Sequence, residues 1–287
     1  MTTLDRKIDF AVVIVVNNAN PNGDPLSGNQ PRTTYDGLGE ISDVCIKRKI
    51  RNRLMEMGHR IFVQSDDYRV DEHRSLRARA EAVLKGKDKN PDELRKAACK
   101  EWLDVRAFGQ VFAFKGKNSK QGGEGVSIGI RGPVSIHPAF SVAPVRLSNI
   151  QITKSVSGEG DGTKRSSDTM GMKHRVDHGV YVCYGSINPQ LAERTGFTYE
   201  DALAIKQALL TLFENDASAA RPEGSMEVHK VFWWEHSTRH GQYSSAQVHR
   251  SLRVRVKEDV SDPKDLTHYE IILSKLDGLE PECLDGR

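Results

Sequence analysis

The sequence predicts an α+β fold, a ferredoxin-like or RRM-like antiparallel sheet in one domain (1–287) that carries insertions. Three observations predict it. A buried apolar strand leads into an amphipathic helix, a second amphipathic helix follows later strands, and more strands close the chain, an order that reduces to βαββαβ. The chain is interrupted by a charged helical stretch and by a long polar stretch nearly devoid of core residues.

Residues 8–16, IDFAVVIVV, are rich in Val and Ile and too short for a helix, so they read as a strand buried on both faces. Residues 17–40 are crowded with Gly, Pro and Asn and form an irregular loop, of a length that usually serves function. A helix is expected from Ser42, a good N-cap, to Met57, with Gly58 as the stop. At 100° per residue Ile46, Ile50, Leu54 and Met57 share a narrow face, and Lys47, Arg48, Lys49, Arg51 and Arg53 fan out as two exposed basic flanks.

Residues 64–105 contain two short charged helices, the second opened by Asn90, Pro91 and Glu93 in a capping arrangement. Strand-like content returns at 106–114 and at VSIGIRGPVSI (126–136), read as one strand. Strands at 147–156 and 180–187 flank a Gly/Ser/Thr-rich basic segment that cannot pack itself and reads as a protruding hairpin. Thr198 caps a helix to Phe213, and strands follow at 226–234, 252–256 and 269–273.

Composition narrows the function. The chain has 287 residues, enough for a core without staples, and a net charge of +3 that hides an uneven distribution. Residues 47–60 hold six basic side chains against one acid, whereas the last thirty hold nine acids against three basic groups. Such segregation suits either a basic face presented to a polyanion or a solvated mosaic surface. Cys45, Cys99, Cys183 and Cys283 form no CxxC pair and read as free thiols of a cytoplasmic protein; no signal peptide or membrane-spanning run is apparent.

Enzyme signatures are weak. Neither GxGxxG nor GxxxxGK[ST] occurs, and GVSIG (125–129) lacks the helix that a nucleophile elbow needs after its serine. The pairs His174/His178 and His236/His240 lie outside helical patterns and read as surface histidines, so no metal is expected. Asp24 and Asp36 read as turn and cap residues. Five Lys/Arg within seven positions after a Gly/Pro loop are denser than solubility demands and suit nucleic-acid phosphates. The stretch Met170–Arg175 mixes flexible apolar and basic side chains that could wedge between bases while holding the backbone.

Five segments in order, IVVNNANPNGDPLSGNQPR, ISDVCIKRKIRN, DVRAFGQVFAF, RGPVSI and SSDTMGMKHRVDHGVYVCYGSIN, together resemble the CRISPR-associated Cascade backbone subunit of the subtype I-C system. The resemblance implies a hand-like protein: an RRM-type palm, helical fingers at 64–105 and a thumb hairpin at 155–178. Several copies would line up head to tail along one CRISPR RNA, each thumb displacing a base, and the guide would pair with target DNA beside other Cascade subunits. It further implies backbone contacts from Arg32, Lys47, Arg48 and Arg51 and thumb contacts from Met170, Met172, Lys173 and Arg175, without catalytic residue or cofactor. The alternative is a metal-dependent ribonuclease using Asp24, because related type III subunits cleave RNA with a loop aspartate.

Overall fold

The computed structural model describes residues 2–86, 90–114, 126–153 and 170–287. The first strand, β1 (Ile8–Ala19), runs three residues further than its apolar content suggests. Its even positions (Ile8, Phe10, Val12, Ile14, Val16) enter one core and Ala11, Val13 and Val15 a second, which is why the run is continuously apolar. The loop beyond is clipped by β2 (Gly23–Asp24) and β3 (Gln30–Pro31), and β4 (Leu38–Ile41) leads into α1 (Asp43–Glu56). Ser42 Oγ accepts from the amide of Cys45 at 3.3 Å, and Gly58 takes a left-handed φ of 87° at the other end. Ile46, Ile50 and Leu54 are buried in the first core.

The region after α1 contains α2 (Leu76–Leu84), α3 (Pro91–Glu101), α4 (Leu103–Phe108) and a ribbon of β5 (Gly109–Phe114) with β6 (Val126–Arg131). It has its own core, in which Phe62, Leu84, Leu94, Trp102, Phe112 and Ile128 meet. Then come β7 (Val134–Ile136), β8 (Ala139–Pro144), β9 (Leu147–Thr153) and the long β10 (Met170–Ile187). The chain continues through α5 (Pro189–Thr195), α6 (Tyr199–Leu210), β11 (Met226–Glu235), α7 (Ser245–Ser251), β12 (Leu252–Val256), β13 (Tyr269–Leu273) and β14 (Glu282–Asp285). Thr198 and Asp201 form a capping box on α6.

The fold is mixed α/β with a large antiparallel sheet in the order β14-β11-β1-β10-β8-β4, with β7 and β9 also on β10. Around β1 the sequence of strand, α1, β7, β10, α6 and β11 gives the spatial order β11-β1-β10-β7. One face packs on α1 and α6, and the other is covered by α7 and the β12–β13 ribbon.

Residues 126–136 are not one strand. The chain leaves the β5–β6 ribbon at Gly132-Pro133 and joins the main sheet as β7. Pro133 has no amide to continue the ladder, and a Cβ on Gly132 would sit 2.2 Å from the carbonyl oxygen of Ala107. Gly109, at φ 82°, is just as tight, with Ile130 O 2.3 Å from where a Cβ would be. Two glycines let the backbone leaving the β5–β6 ribbon pass the edge of the main sheet in contact.

Candidate nucleic-acid interface

The loop after β1 is built on side-chain amides. Asn22 Oδ1 accepts from both the backbone amide (2.9 Å) and the hydroxyl (2.8 Å) of Ser42, locking the loop to the start of α1. Asn20 Nδ2 donates to Asn29 O at 2.7 Å, and the amide of Asn20 donates to Ala220 O at 2.9 Å. Asp24 Oδ1 accepts from Leu26 N (3.1 Å) and Oδ2 from Ser27 Oγ (3.2 Å), while Arg32 Nη2 lies 3.4 Å from Oδ1. Both oxygens of Asp24 therefore serve the turn. Leu26 and Tyr35 project fully into solvent.

The five cations of α1 do not form two exposed flanks. Lys49 is buried against Asp216, which also accepts from Arg221 at 3.0 Å; burial, the largest cause, lowers its pKa. Arg53 pairs with Glu56 and Glu214 and donates to Thr211 Oγ1 at 3.1 Å. That flank is covered by the segment following α6, so its charges hold a neighbour instead of a ligand. Arg51 Nε binds Asp104 at 2.9 Å, with its guanidinium 5.1 Å from the Phe108 ring centre. Asp104 is itself buried and accepts from the amides of Phe62 (2.7 Å) and Val63 (3.1 Å), which moors α1 to the region after it. Lys47 makes a local pair with Asp43 at 2.9 Å, and Arg48 has no ion pair among the described residues. Arg32, Lys47 and Arg48 are thus the cations of this set that remain partly open around the loop and the first turns of α1.

The outer half of β10 pairs with β9 from Met170↔Thr153 to Val176↔Leu147. Opposed residues of an antiparallel ribbon share a face and successive ones alternate. Met170 and Met172 therefore stand with Gln151, Asn149 and His174, whereas Lys173 and Arg175 stand on the reverse with Ile150, Ile152 and Ser148. Leu147 and Val176, on the methionine face, pack into the core that α1 shares. The methionine face thus continues the side of the sheet that bears α1, and the Lys173/Arg175 face continues the opposite side. Both methionines are more than half exposed, and Arg175 Nε lies 3.7 Å from Asp177. Residues 155–169 of the expected thumb lie outside the described residues.

Among the described residues no group of three or more His, Cys, Asp or Glu could hold a metal ion. His174 Nδ1 bonds to Asn149 Oδ1 and His178 Nδ1 to Asn17 Oδ1, each at 2.6 Å. His236 is not a surface histidine: it is fully buried, with Nε2 2.8 Å from the buried carboxylate of Asp9. An acid inside an apolar strand needs a polar partner, and that is the signal that points to this pair. Asn22 and Asp104, which position the site, lie 20 and 53 residues from their partners and carry no local signal.

The family model described as CRISPR-associated protein Cas7 matches residues 6–274. A relative of the same description from Haloferax volcanii is 27% identical over 215 residues, which cover 70% of this chain and 62% of that protein's length. Two solved structures are also similar. One, described as a CRISPR RNA-guided surveillance complex, pre-nicking, has TM-score 0.47 and 16% identity, over 79% of this chain and 78% of that one. The other, a CRISPR RNA-guided surveillance complex, has TM-score 0.42 and 18% identity, over 79% and 68%. With nearly its whole length matched by the family model, the chain belongs to the CRISPR-associated Cas7 family.

Proposed function

We propose that this protein is the guide-RNA-binding backbone subunit of a subtype I-C CRISPR surveillance complex. It acts as a cytoplasmic, non-catalytic scaffold that lines up head to tail along one CRISPR RNA and presents it to target DNA alongside other subunits. The strand order β11-β1-β10-β7 with α1 and α6 serves as the RRM-like palm, the inserted helices as fingers, and the β9–β10 ribbon as the root of the thumb.

The observation that carries this reading is the family match combined with one polar surface. The Asn22-locked loop, Arg32, the outward turns of α1 and the methionine face of the ribbon all lie on one side of the sheet. Lys47, Arg48 and Arg32 supply sequence-independent phosphate contacts, and Met170 and Met172 are flexible apolar side chains able to wedge between bases. Lys173 and Arg175 reach the nucleic acid from the reverse of the ribbon, and Arg51 shapes the surface through Asp104. A scaffold also fits the engagement of Asp24, whose oxygens are held by Leu26, Ser27 and Arg32.

The test is purification with and without ribonuclease, followed by sequencing of the retained RNA. The reading expects a guide-length RNA of unrestricted spacer sequence, lost from a double Arg32→Glu/Arg48→Glu variant. Protein free of nucleic acid, or target-RNA cleavage abolished by Asp24→Ala, would overturn it.

A further inference from the structure

A second basic site lies at the other end of the palm. A cleft of about 480 Å³ opens between α3, α5 and the start of α6, and Lys96, Lys100 and Arg194 line it. All three are exposed, and none makes an ion pair among the described residues. Lys96 and Lys100, one helical turn apart on α3, both line this space.

The two carboxylates in the cleft do not neutralise them. Asp201 is held bidentate by Arg106 (2.8 and 2.6 Å) and also accepts from the Thr198 amide at 3.0 Å. Glu193 is bound to Arg239. The charge left over is three cations. Most of the described lysines and arginines are ion-paired, so this is a concentration of unspent positive charge in a concave place.

The site is remote from the first. Thr3 bridges to Thr198 and Leu4 N donates to Phe197 O (3.0 Å), so the cleft adjoins the start of β1. The Asn22 loop follows its end, roughly 36 Å away along twelve strand residues. The geometry points to a phosphodiester-binding site, formed by Lys96, Lys100 and Arg194, for a nucleic-acid strand other than the one held at the loop. It rests on the reading of this chain as a nucleic-acid-binding subunit. An acidic protein segment suits the cleft less well: in the chain's own acidic C-terminus Glu282 and Asp285 are already paired with Lys206 and Lys230.

The experiment uses the complex as purified, as wild type, as Lys96→Glu/Lys100→Glu/Arg194→Glu, and as the corresponding triple Gln variant, whose melting curve controls for folding. Retained RNA per subunit is measured first. Binding of an added 40-base single-stranded DNA, with no complementarity to the retained RNA, is then measured from 50 to 200 mM salt. The expected result is unchanged RNA retention, at least ten-fold weaker DNA binding for the Glu variant, and a log–log salt slope shallower by about 2.1, three phosphate contacts at ~0.7 each on a single strand. The Gln variant should lose the same slope without repulsion. Unchanged DNA affinity and slope overturn the site. A parallel loss of retained RNA overturns the assignment to a second strand, because the cleft would then hold the guide. Intact DNA binding with a smaller assembly overturns it in favour of an acidic protein segment. Wild type that carries no RNA contradicts the guide-binding reading alone, since the DNA measurement still stands.

Discussion

The α1 cations carry the same charge and do different work, and single substitutions separate them. Arg48, partly open and without an ion pair among the described residues, should give a large loss of RNA retention as Arg48→Glu with stability changed by no more than about 0.5 kcal/mol. Arg51→Ala should instead cost about 3 kcal/mol in denaturant unfolding, because it strands the buried carboxylate of Asp104. A charge-reversal test of RNA binding at Arg51 would therefore read unfolding and binding together. This distinction was not legible in the sequence. The helix, its Ser42 cap and its apolar stripe follow from local spacing, but the acids that consume Lys49, Arg51 and Arg53 come from positions 216, 104 and 214. Only the tertiary fold brings them in. The turn role of Asp24, by contrast, is local and could be read from its Pro/Gly neighbours.

Titration is also a matter of single residues. Burial is the largest cause in each case where His59, His178, His229 and His249 are held below the ordinary histidine range. The folded state therefore binds fewer protons than the unfolded chain between those lowered values and about pH 6.5. Stability is full above that pH and falls as the pH drops through the window, by up to about 1.4 kcal/mol per pH unit for each histidine. Burial raises the carboxyl of Asp9, but hydrogen bonds from His236, Ser245 and Lys7 more than offset it and hold it below its ordinary value. Its contribution is thus lost only below about pH 3.8. Thermal melting from pH 5 to 8 should show a rise followed by a plateau, and His249→Gln should reduce the slope; a profile that rises toward acid would contradict this assignment.

At the scale of elements, the β9–β10 ribbon and the glycine crossing decide most. The sequence marks Met170–Arg175 as one mixed segment, yet the register divides it into a methionine face and a cationic face. Pairing partners set that division, and they lie across a stretch with no apolar pattern to fix register from sequence alone. On the proposed function, Met170→Ala/Met172→Ala should keep RNA bound but reduce the periodic fluorescence of displaced 2-aminopurine bases. Lys173→Glu/Arg175→Glu should lower affinity and salt dependence instead. Identical effects of the two pairs on both readouts would show that the faces do not act separately. Gly132→Ala should cost about 1–3 kcal/mol, since its new methyl meets the carbonyl of Ala107, and native-state hydrogen exchange should show the loss at β6 and β7 first.

For the whole molecule, β1 organises both cores and separates two polar ends: the Asn22 loop at one, the Lys96/Lys100/Arg194 cleft at the other. The order of strands and helices was largely legible, because long apolar runs and capped amphipathic helices carry strong local signals. The short α4, α5, α7, β4, β8 and β14 were not, since elements of four to seven residues are fixed by what they pack against. A chain with unlike ends suits repetition by translation along a strand, because a heterologous contact that does not close gives an open row. The most direct test is native mass spectrometry of the protein reconstituted on a series of RNAs of increasing length. The proposed function predicts that the number of bound copies rises in even steps with RNA length, whatever the sequence. One copy per RNA at every length, or a closed ring of fixed number, would contradict it.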